Sequence, residues 1–230
     1  MRVATGVVVA AGESRRMGES VDKQFAVLAG RPLIVHTLSA FQSCESIERV
    51  VLVCNADGIA RSRDLVREFG LAKVDAIVEG GRMRQESVAN GLREVDEDDL
   101  AAIHDGARPL VSPDLITQCI EALPEWDGVV PGLRIGSTVK EVDADCVITA
   151  TLDRTKLWLA QTPQVFPARF LKEALATAER QHFAATDDAA LVERIGGRVL
   201  MIEGLGENFK ITFPEDLVRA ELILAGRERS

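Results

Sequence analysis

The sequence predicts an α/β fold: a mostly parallel β-sheet covered by helices on both faces. Three observations carry that reading. Short apolar runs alternate with helix-patterned segments. The early runs are continuously apolar, as strands buried on both faces are. No repeat, low-complexity tract or Pro/Gly/Ser-rich linker interrupts the pattern. With 230 residues and 47% hydrophobic content, the chain can bury one sizeable core. The expectation is a single domain over 1–230, with a subregion at 133–154 set apart from it.

Gly6 to Ala10 (GVVVA) is the first expected strand. Pro32 then opens a helix on which Ile34, Leu38 and Phe41 recur at helical spacing. Arg49 to Cys54 and Val74 to Val78 are the second and third strands, and Gln85 to Leu92 is a helix. Leu100 to His104 is the fourth strand, followed by a loop and a helix over Pro113 to Leu123. Val129–Val130 is a fifth, short strand. Helices follow at Pro167 to Arg180 and Asp187 to Ile195, then a strand at Arg198 to Ile202 and a last helix from Pro214. One segment breaks the rhythm. Thr138 to Val142 and Cys146 to Leu152 alternate branched and polar residues around Asp143, Ala144 and Asp145, which is a hairpin signal. We read it as an arm projecting from the sheet. An isolated hairpin is marginal in water, so the arm is expected to pack on something, most simply a second copy of the chain.

Charge and composition exclude several function classes. Lys and Arg number 27 against 36 Asp and Glu, a net charge of −9. That balance opposes binding to nucleic acid or an anionic membrane, and makes any local cation cluster informative. No apolar stretch approaches the roughly 18 residues of a membrane span. The N-terminal apolar run reads as a strand, not a signal peptide, because it breaks at Gly12 into charged residues. Four cysteines without a CxxC pair suit a reducing, cytoplasmic setting. The three histidines lack zinc-ligand spacing.

In a parallel α/β sheet, ligands bind beyond the carboxyl ends of the strands. After the first strand come Ala10, Ala11 and Gly12, then Arg15, Arg16 and Lys23. Small residues let the backbone approach a ligand, and successive N–H groups can form an anion nest. Together they suit a polyphosphate, although a glycine turn with solvated charges fits the same residues. After the third strand, Gly80–Gly81 leads into a helix start carrying Arg82, Arg84 and Ser87. Gly81 and Ser87 could read a base or ribose; a tight turn is the plainer reading. After the fourth strand, Asp105 is placed for Mg²⁺ or a sugar hydroxyl and Arg108 for a phosphate, or the two pair to hold the loop. His104 fits packing better than catalysis, and Thr186 with Asp187 suits a helix cap. Lys210 adds a cation near the expected ligand edge. There is no GxxxxGK[ST] and no GxGxxG; Gly204-Leu205-Gly206 is the nearest miss, so a P-loop and dinucleotide binding are disfavoured.

These stretches, in this order, resemble the cytidylyltransferases that make 4-diphosphocytidyl-2-C-methyl-D-erythritol in the non-mevalonate isoprenoid pathway. The resemblance is carried by AAGESRRMG, KQF, GGRMRQESV, HDGARP, TVK, TLDR, QTPQVF, TDDA and ENFKITFPEDL, and extends from Val7 to Leu222. It implies a Rossmann-like sheet of the nucleotidyltransferase type, with CTP, a sugar-alcohol phosphate and Mg²⁺ as its ligands. It places Ala10, Ala11, Gly12, Arg16 and Lys23 on the triphosphate, and Gly81, Arg84 and Ser87, with Ala107 nearby, on cytosine and ribose. Arg16 and Lys23 would stabilise charge on the reacting phosphate; Arg154 and Lys210 would position the methylerythritol phosphate. Asp105, Arg108, Thr138 and Thr162 match further substrate contacts, Asp105 also as a metal ligand. The arm would reach a twofold-related subunit, so that Thr138 and Arg154 serve the neighbour's site in a homodimer. A ribitol-5-phosphate cytidylyltransferase and a non-catalytic nucleotide-binding regulator stay open as alternatives.

Overall fold

The computed structural model describes residues 4–12 and 23–227. Arg15 and Arg16, with Ser14, lie outside the described residues.

One eight-stranded sheet organises the chain. Its strands are β1 (Ala4–Val9), β4 (Ile47–Cys54), β5 (Val74–Glu79), β6 (Leu100–Asp105), β7 (Gly128–Arg134), β10 (Trp158–Ala160), β11 (Gln164–Pro167) and β12 (Val199–Glu203). A short hairpin of β2 (Val27–Leu28) and β3 (Arg31–Pro32) and the arm strands β8 (Val139–Val142) and β9 (Ile148–Leu152) form separate two-stranded sheets. The helices are α1 (Leu33–Ser43), α2 (Gly58–Glu68), α3 (Arg84–Leu92), α4 (Pro113–Glu121), α5 (Ala168–Arg180), α6 (Asp188–Arg194) and α7 (Pro214–Arg227). β6, β1, β4 and β5 are parallel neighbours, and β12 runs parallel to β7. β11 joins the two halves by pairing antiparallel with both β6 and β7. β10 continues along β7 on the same side as β11, after the break at Gln161–Pro163.

Alternation along each strand feeds two cores. Val8, Val50, Leu52 and Ala102 face the layer of α1, α4 and Leu65 of α2, while Val7, Val51, Val53 and Ile103 face α3, α5 and α6. Each fully buried aliphatic side chain contributes roughly 1.5–3 kcal/mol. A third cluster, Leu28, Leu33, Leu110, Ile211 and Ala220, seats α7 against the small hairpin. α3 sits close on the sheet because Gly91 has no side chain: a Cβ there would lie 2.6 Å from Val7 Cγ1 and 2.8 Å from Val53 Cγ2.

The expected strands and helices are present with shifted ends, and four features were not anticipated. α2 escaped notice because only Gly58, Ser62 and Leu65 are buried on it, too few for an apolar stripe. β10 and β11 flank Pro163, and β11 ends at Pro167, so their sequence signals loop. β7 runs on past Val130 through Pro131 and Gly132, whose carbonyls accept from Gln161 and Gly204. The β2–β3 hairpin is too short to leave a pattern.

The arm is a hairpin as expected. Its turn places Cys146 at φ +62°, and Asp143 Oδ1 accepts from the backbone N–H groups of Asp145 and Val147. Val142, Val147, Ile148 and Leu152 are 49%, 60%, 59% and 39% exposed, so the hairpin buries little apolar surface against the rest of the chain.

Candidate active site

Because β1, β4, β5 and β6 are parallel, their carboxyl ends share one edge. Backbone bonds carry the ladder one residue further: Ala10 N–H donates to Val53, Gly80 N–H to Cys54 and Gly106 N–H to Val9, at 2.7–2.8 Å. Beyond that edge lies a cavity of about 550 Å³. Ala11, Gly12, Lys23, Gly81, Arg84, Ser87, Asp105, Ala107 and Lys210 all line it. Ala11, Gly12, Lys23, Gly81, Arg84, Ser87 and Ala107 are residues that the resemblance assigns to the nucleotide, and Asp105 and Lys210 are ones it assigns to the acceptor or a metal.

Each is held by its element. Lys23 opens a short 3-10 turn over Lys23–Phe25, anchored from behind by buried Phe25, over whose ring Arg61 lies at 4.3 Å. The glycine turn is shaped by side chains of α3. Ser87 Oγ accepts from Gly81 N–H at 3.0 Å, and Glu86 Oε2 accepts from Arg82 and Met83 N–H at 2.7 and 3.3 Å. Gly80 is required where it is, since a Cβ would fall 2.2 Å from Ala11 Cβ. Lys210 is delivered by a segment tied to the loop after β6: Arg108 Nη1 donates to Asn208 O at 2.7 Å, and Ile211 N–H to Ala107 O at 2.8 Å.

Asp105 is the centre of the charge network. Arg84 Nε donates to its Oδ1 at 3.1 Å, Lys210 Nζ donates to Oδ2 at 2.9 Å, and Arg108 Nε stands 3.8 Å from Oδ2. Burial would raise its pKa, but Arg84, then Lys210 and Arg108, outweigh burial and hold the carboxyl well below the usual carboxylate range. Burial lowers the pKa of Arg108, against the opposing pull of Asp105. Burial likewise works against the charge on Arg84, but Asp188 and Asp105 more than reverse it and its pKa is raised.

Behind Asp105 lies a buried relay. Thr162 Oγ1 accepts from Asp105 N–H at 3.0 Å and donates to His104 Nδ1 at 3.0 Å; His104 Nε2 donates to Arg108 O at 3.2 Å. Of the two neutral tautomers, only the one protonated at Nε2 satisfies both contacts. Desolvation pushes the pKa of His104 down to about 3, which keeps it neutral. The relay makes His104 and Thr162 props for the loop from Asp105 to Arg108. Asn208 joins them by donating to Thr162 O at 2.8 Å.

Other expected residues stand apart from the cavity lining. Ala10 is buried behind it, and Arg108 and Thr162 support its floor without lining it. Thr138 and Arg154 are exposed on the arm, where Arg154 Nη1 donates to Gly136 O at 2.5 Å. Asp187 caps α6, its Oδ1 accepting from Ala190 N–H at 3.1 Å. Glu86, Asn208 and Asp188 were not singled out from sequence. Nothing in composition marks a glutamate that bonds backbone, or an aspartate 1% exposed behind an arginine. A larger cavity of about 780 Å³ between α3 and α5 includes none of the expected residues, so size does not identify the site.

A bare divalent cation does not fit the donors here. Among the described residues no group of three or more His, Cys, Asp or Glu side chains could hold one. Both oxygens of Asp105 already face cations. The cavity favours an anion, a phosphate chain above all.

Residues 4–226 match the model of the 2-C-methyl-D-erythritol 4-phosphate cytidylyltransferase family. The chain is similar to the enzyme of that name from Geobacillus kaustophilus, 42% identical over 221 residues that cover 96% of each chain. It is also similar to the crystal structure of 4-diphosphocytidyl-2C-methyl-D-erythritol synthase from Anaerococcus prevotii, with TM-score 0.84, 27% identity, and 97% of this chain and 96% of that one covered. The crystal structure of 2-C-methyl-D-erythritol 4-phosphate cytidylyltransferase from Thermus thermophilus aligns with TM-score 0.79 and 32% identity over 98% of this chain and all of that one.

Proposed function

The chain belongs to the 2-C-methyl-D-erythritol 4-phosphate cytidylyltransferase family, and on that footing we propose that it transfers CMP from CTP to 2-C-methyl-D-erythritol 4-phosphate at the cavity lined by Lys23, Arg84 and Lys210. The products are 4-diphosphocytidyl-2-C-methyl-D-erythritol, an isoprenoid precursor, and pyrophosphate. The observation that carries the reading is the convergence of those three cations with two small-residue turns at one sheet edge of a chain whose net charge is −9.

A phosphate oxygen of the acceptor attacks the α-phosphorus of CTP. The new P–O bond forms as the bond to the bridging oxygen breaks, and the electron pair leaves with pyrophosphate. The acceptor is a phosphate monoester with a second pKa near 6, so at neutral pH it is already a nucleophile and needs no base. This accords with a neutral, buried His104. The difficulty is bringing two polyanions together, and the chain's contribution is positive potential and alignment. Lys23 neutralises developing charge on the reacting phosphates, with Arg16 in the same role. Ala11, Gly12, Gly81 and Ser87 take the nucleotide through backbone and hydroxyl, and Lys210 draws in the acceptor phosphate. Mg²⁺ would enter with the triphosphate as its counter-ion, since among the described residues no cluster of three or more His, Cys, Asp or Glu offers it a cage.

We further propose one catalytic domain over 1–230 with an arm at 133–154, working as a cytoplasmic homodimer. The exposed apolar residues of the arm support this, as does the position of Thr138 and Arg154 away from the subunit's own cavity. Pyrophosphate release tests the assignment, measured over a matrix of nucleotides and acceptors with and without Mg²⁺. Turnover is expected with CTP and 2-C-methyl-D-erythritol 4-phosphate. Preferential turnover of ribitol 5-phosphate would assign the other acceptor, and no turnover with any pair would leave a nucleotide-binding protein.

A further inference from the structure

Arg84 is gripped from two sides. Its Nε meets Asp105 at 3.1 Å, and its Nη2 donates to Asp188 Oδ2 at 2.8 Å. Asp188 is 1% exposed, and its other oxygen, Oδ1, is buried with no hydrogen-bond partner among the described residues. A buried carboxylate satisfied on one side only is a costly thing to keep for stability alone.

The group that holds it in place is equally specific. Gln164 of β11, 1% exposed, accepts through Oε1 from the backbone N–H groups of Asp188 and Ala189 at 3.1 and 3.0 Å. Its Nε2 donates to Asp187 Oδ2 at 2.9 Å. A side chain from the sheet therefore fixes the first turn of α6 and with it the direction of the Asp188 carboxylate. The chain of contacts runs from Gln164 through α6 to Asp188, and from there to the arginine in the cavity wall.

We propose that Asp188 and Gln164 are positioning residues for nucleotide binding, which set the guanidinium of Arg84 in the plane in which it meets CTP. This deepens the cavity assignment and rests on it. Neither residue lines the cavity, so neither is expected to touch substrate. Without Asp188 the guanidinium keeps only its Nε contact to Asp105 and can turn about it, and the cost falls on CTP and not on the acceptor.

A double-mutant cycle tests this, with steady-state kinetics and thermal melting on the full chain. Asp188→Ala is expected to raise the KM for CTP about tenfold or more, the scale of loss for a displaced positioning contact, with kcat and the acceptor KM changing by less than about threefold. In the Arg84→Ala background the same substitution should change the CTP KM by less than about twofold, because the group it orients is gone. Gln164→Ala supplies an independent cycle with the same expected pattern should Asp188→Ala fold poorly. The proposal is overturned if Asp188→Ala leaves the CTP KM unchanged, or if its effect persists in full without Arg84. An unchanged CTP KM in Arg84→Ala itself would overturn the assignment of the cavity to the nucleotide, and the proposal with it.

Discussion

Replacing Asp105 by Asn keeps the shape of the side chain and removes its charge. In the folded protein the carboxylate holds Arg84 at 3.1 Å and Lys210 at 2.9 Å, with Arg108 at 3.8 Å, and its side chain is 11% exposed. An amide offers one acceptor and one NH₂, so one of the two close partners would meet a donor. Three cations would also lose their common counter-charge. Breaking a buried pair from one side costs about 3–5 kcal/mol. For a chain of this length each kcal/mol lowers the melting temperature by roughly 2–4 °C, so Asp105→Asn should melt about 6–20 °C below wild type near neutral pH. Differential scanning calorimetry reads this directly. The pH profile sharpens it. The carboxyl's folded pKa lies below its usual range. Its contribution is therefore complete above an unfolded value of about 3.9 and is lost only as pH falls through the folded one. The gap between the two proteins should stay flat from about pH 8 to about pH 5 and close below about pH 4. A melting temperature within about 2 °C of wild type would refute the claim that Asp105 holds the cluster together.

His104 has a pKa lowered from 6.5 to about 3. Its contribution to stability is present above about pH 6.5 and is lost at roughly 1.4 kcal/mol per pH unit as pH falls. Urea denaturation should show about 2 kcal/mol of that loss between pH 6.5 and 5, absent in His104→Gln; parallel profiles would refute it. Lys23→Ala should melt like wild type and lose about 10²–10³ in turnover, by analogy with removal of one oxyanion donor; wild-type activity would remove Lys23 from the chemistry. Arg154→Ala should raise the acceptor KM and leave the CTP KM unchanged in initial-rate kinetics, and the reverse pattern would overturn its assignment. Gly91→Ala should cost about 1–3 kcal/mol by calorimetry, because its Cβ cannot clear Val7 and Val53 without moving α3.

The parallel half of the sheet was legible because its strands are runs of Val, Ile, Leu and Ala with glycine at their carboxyl ends, and those ends are where the cavity lies. The antiparallel insertion was not. Gln164–Pro167 is short and bracketed by prolines, and it becomes a strand because β6 and β7 leave a gap that only a paired backbone can fill. The same distinction governs the site. Lys23, Asp105 and Lys210 could be found from their place after strands or in a family motif. Asp188 and Gln164 act through burial and direction, which depend on contacts 104 and 24 residues apart in sequence. A short polar pattern carries no trace of such contacts.

The two cations nearest Asp105 differ in how they are held. Arg84 is bonded to two carboxylates, and its side chain is 28% exposed. Among the carboxylates of the described residues Lys210 bonds Asp105 alone, and it is 41% exposed. An arriving phosphate competes with Asp105 for Lys210 over a single bond. To displace Arg84 it would have to break two, one of them to a carboxylate 1% exposed. A planar guanidinium held along two edges recognises shape, whereas an ammonium on a flexible stem follows charge. On the proposed assignment this geometry divides the work: Arg84 would be the fixed element against which a nucleotide is read, and Lys210 the one that shifts to the second anion. Asp105 serves both, keeping like charges close together in a cavity that would otherwise repel its own walls.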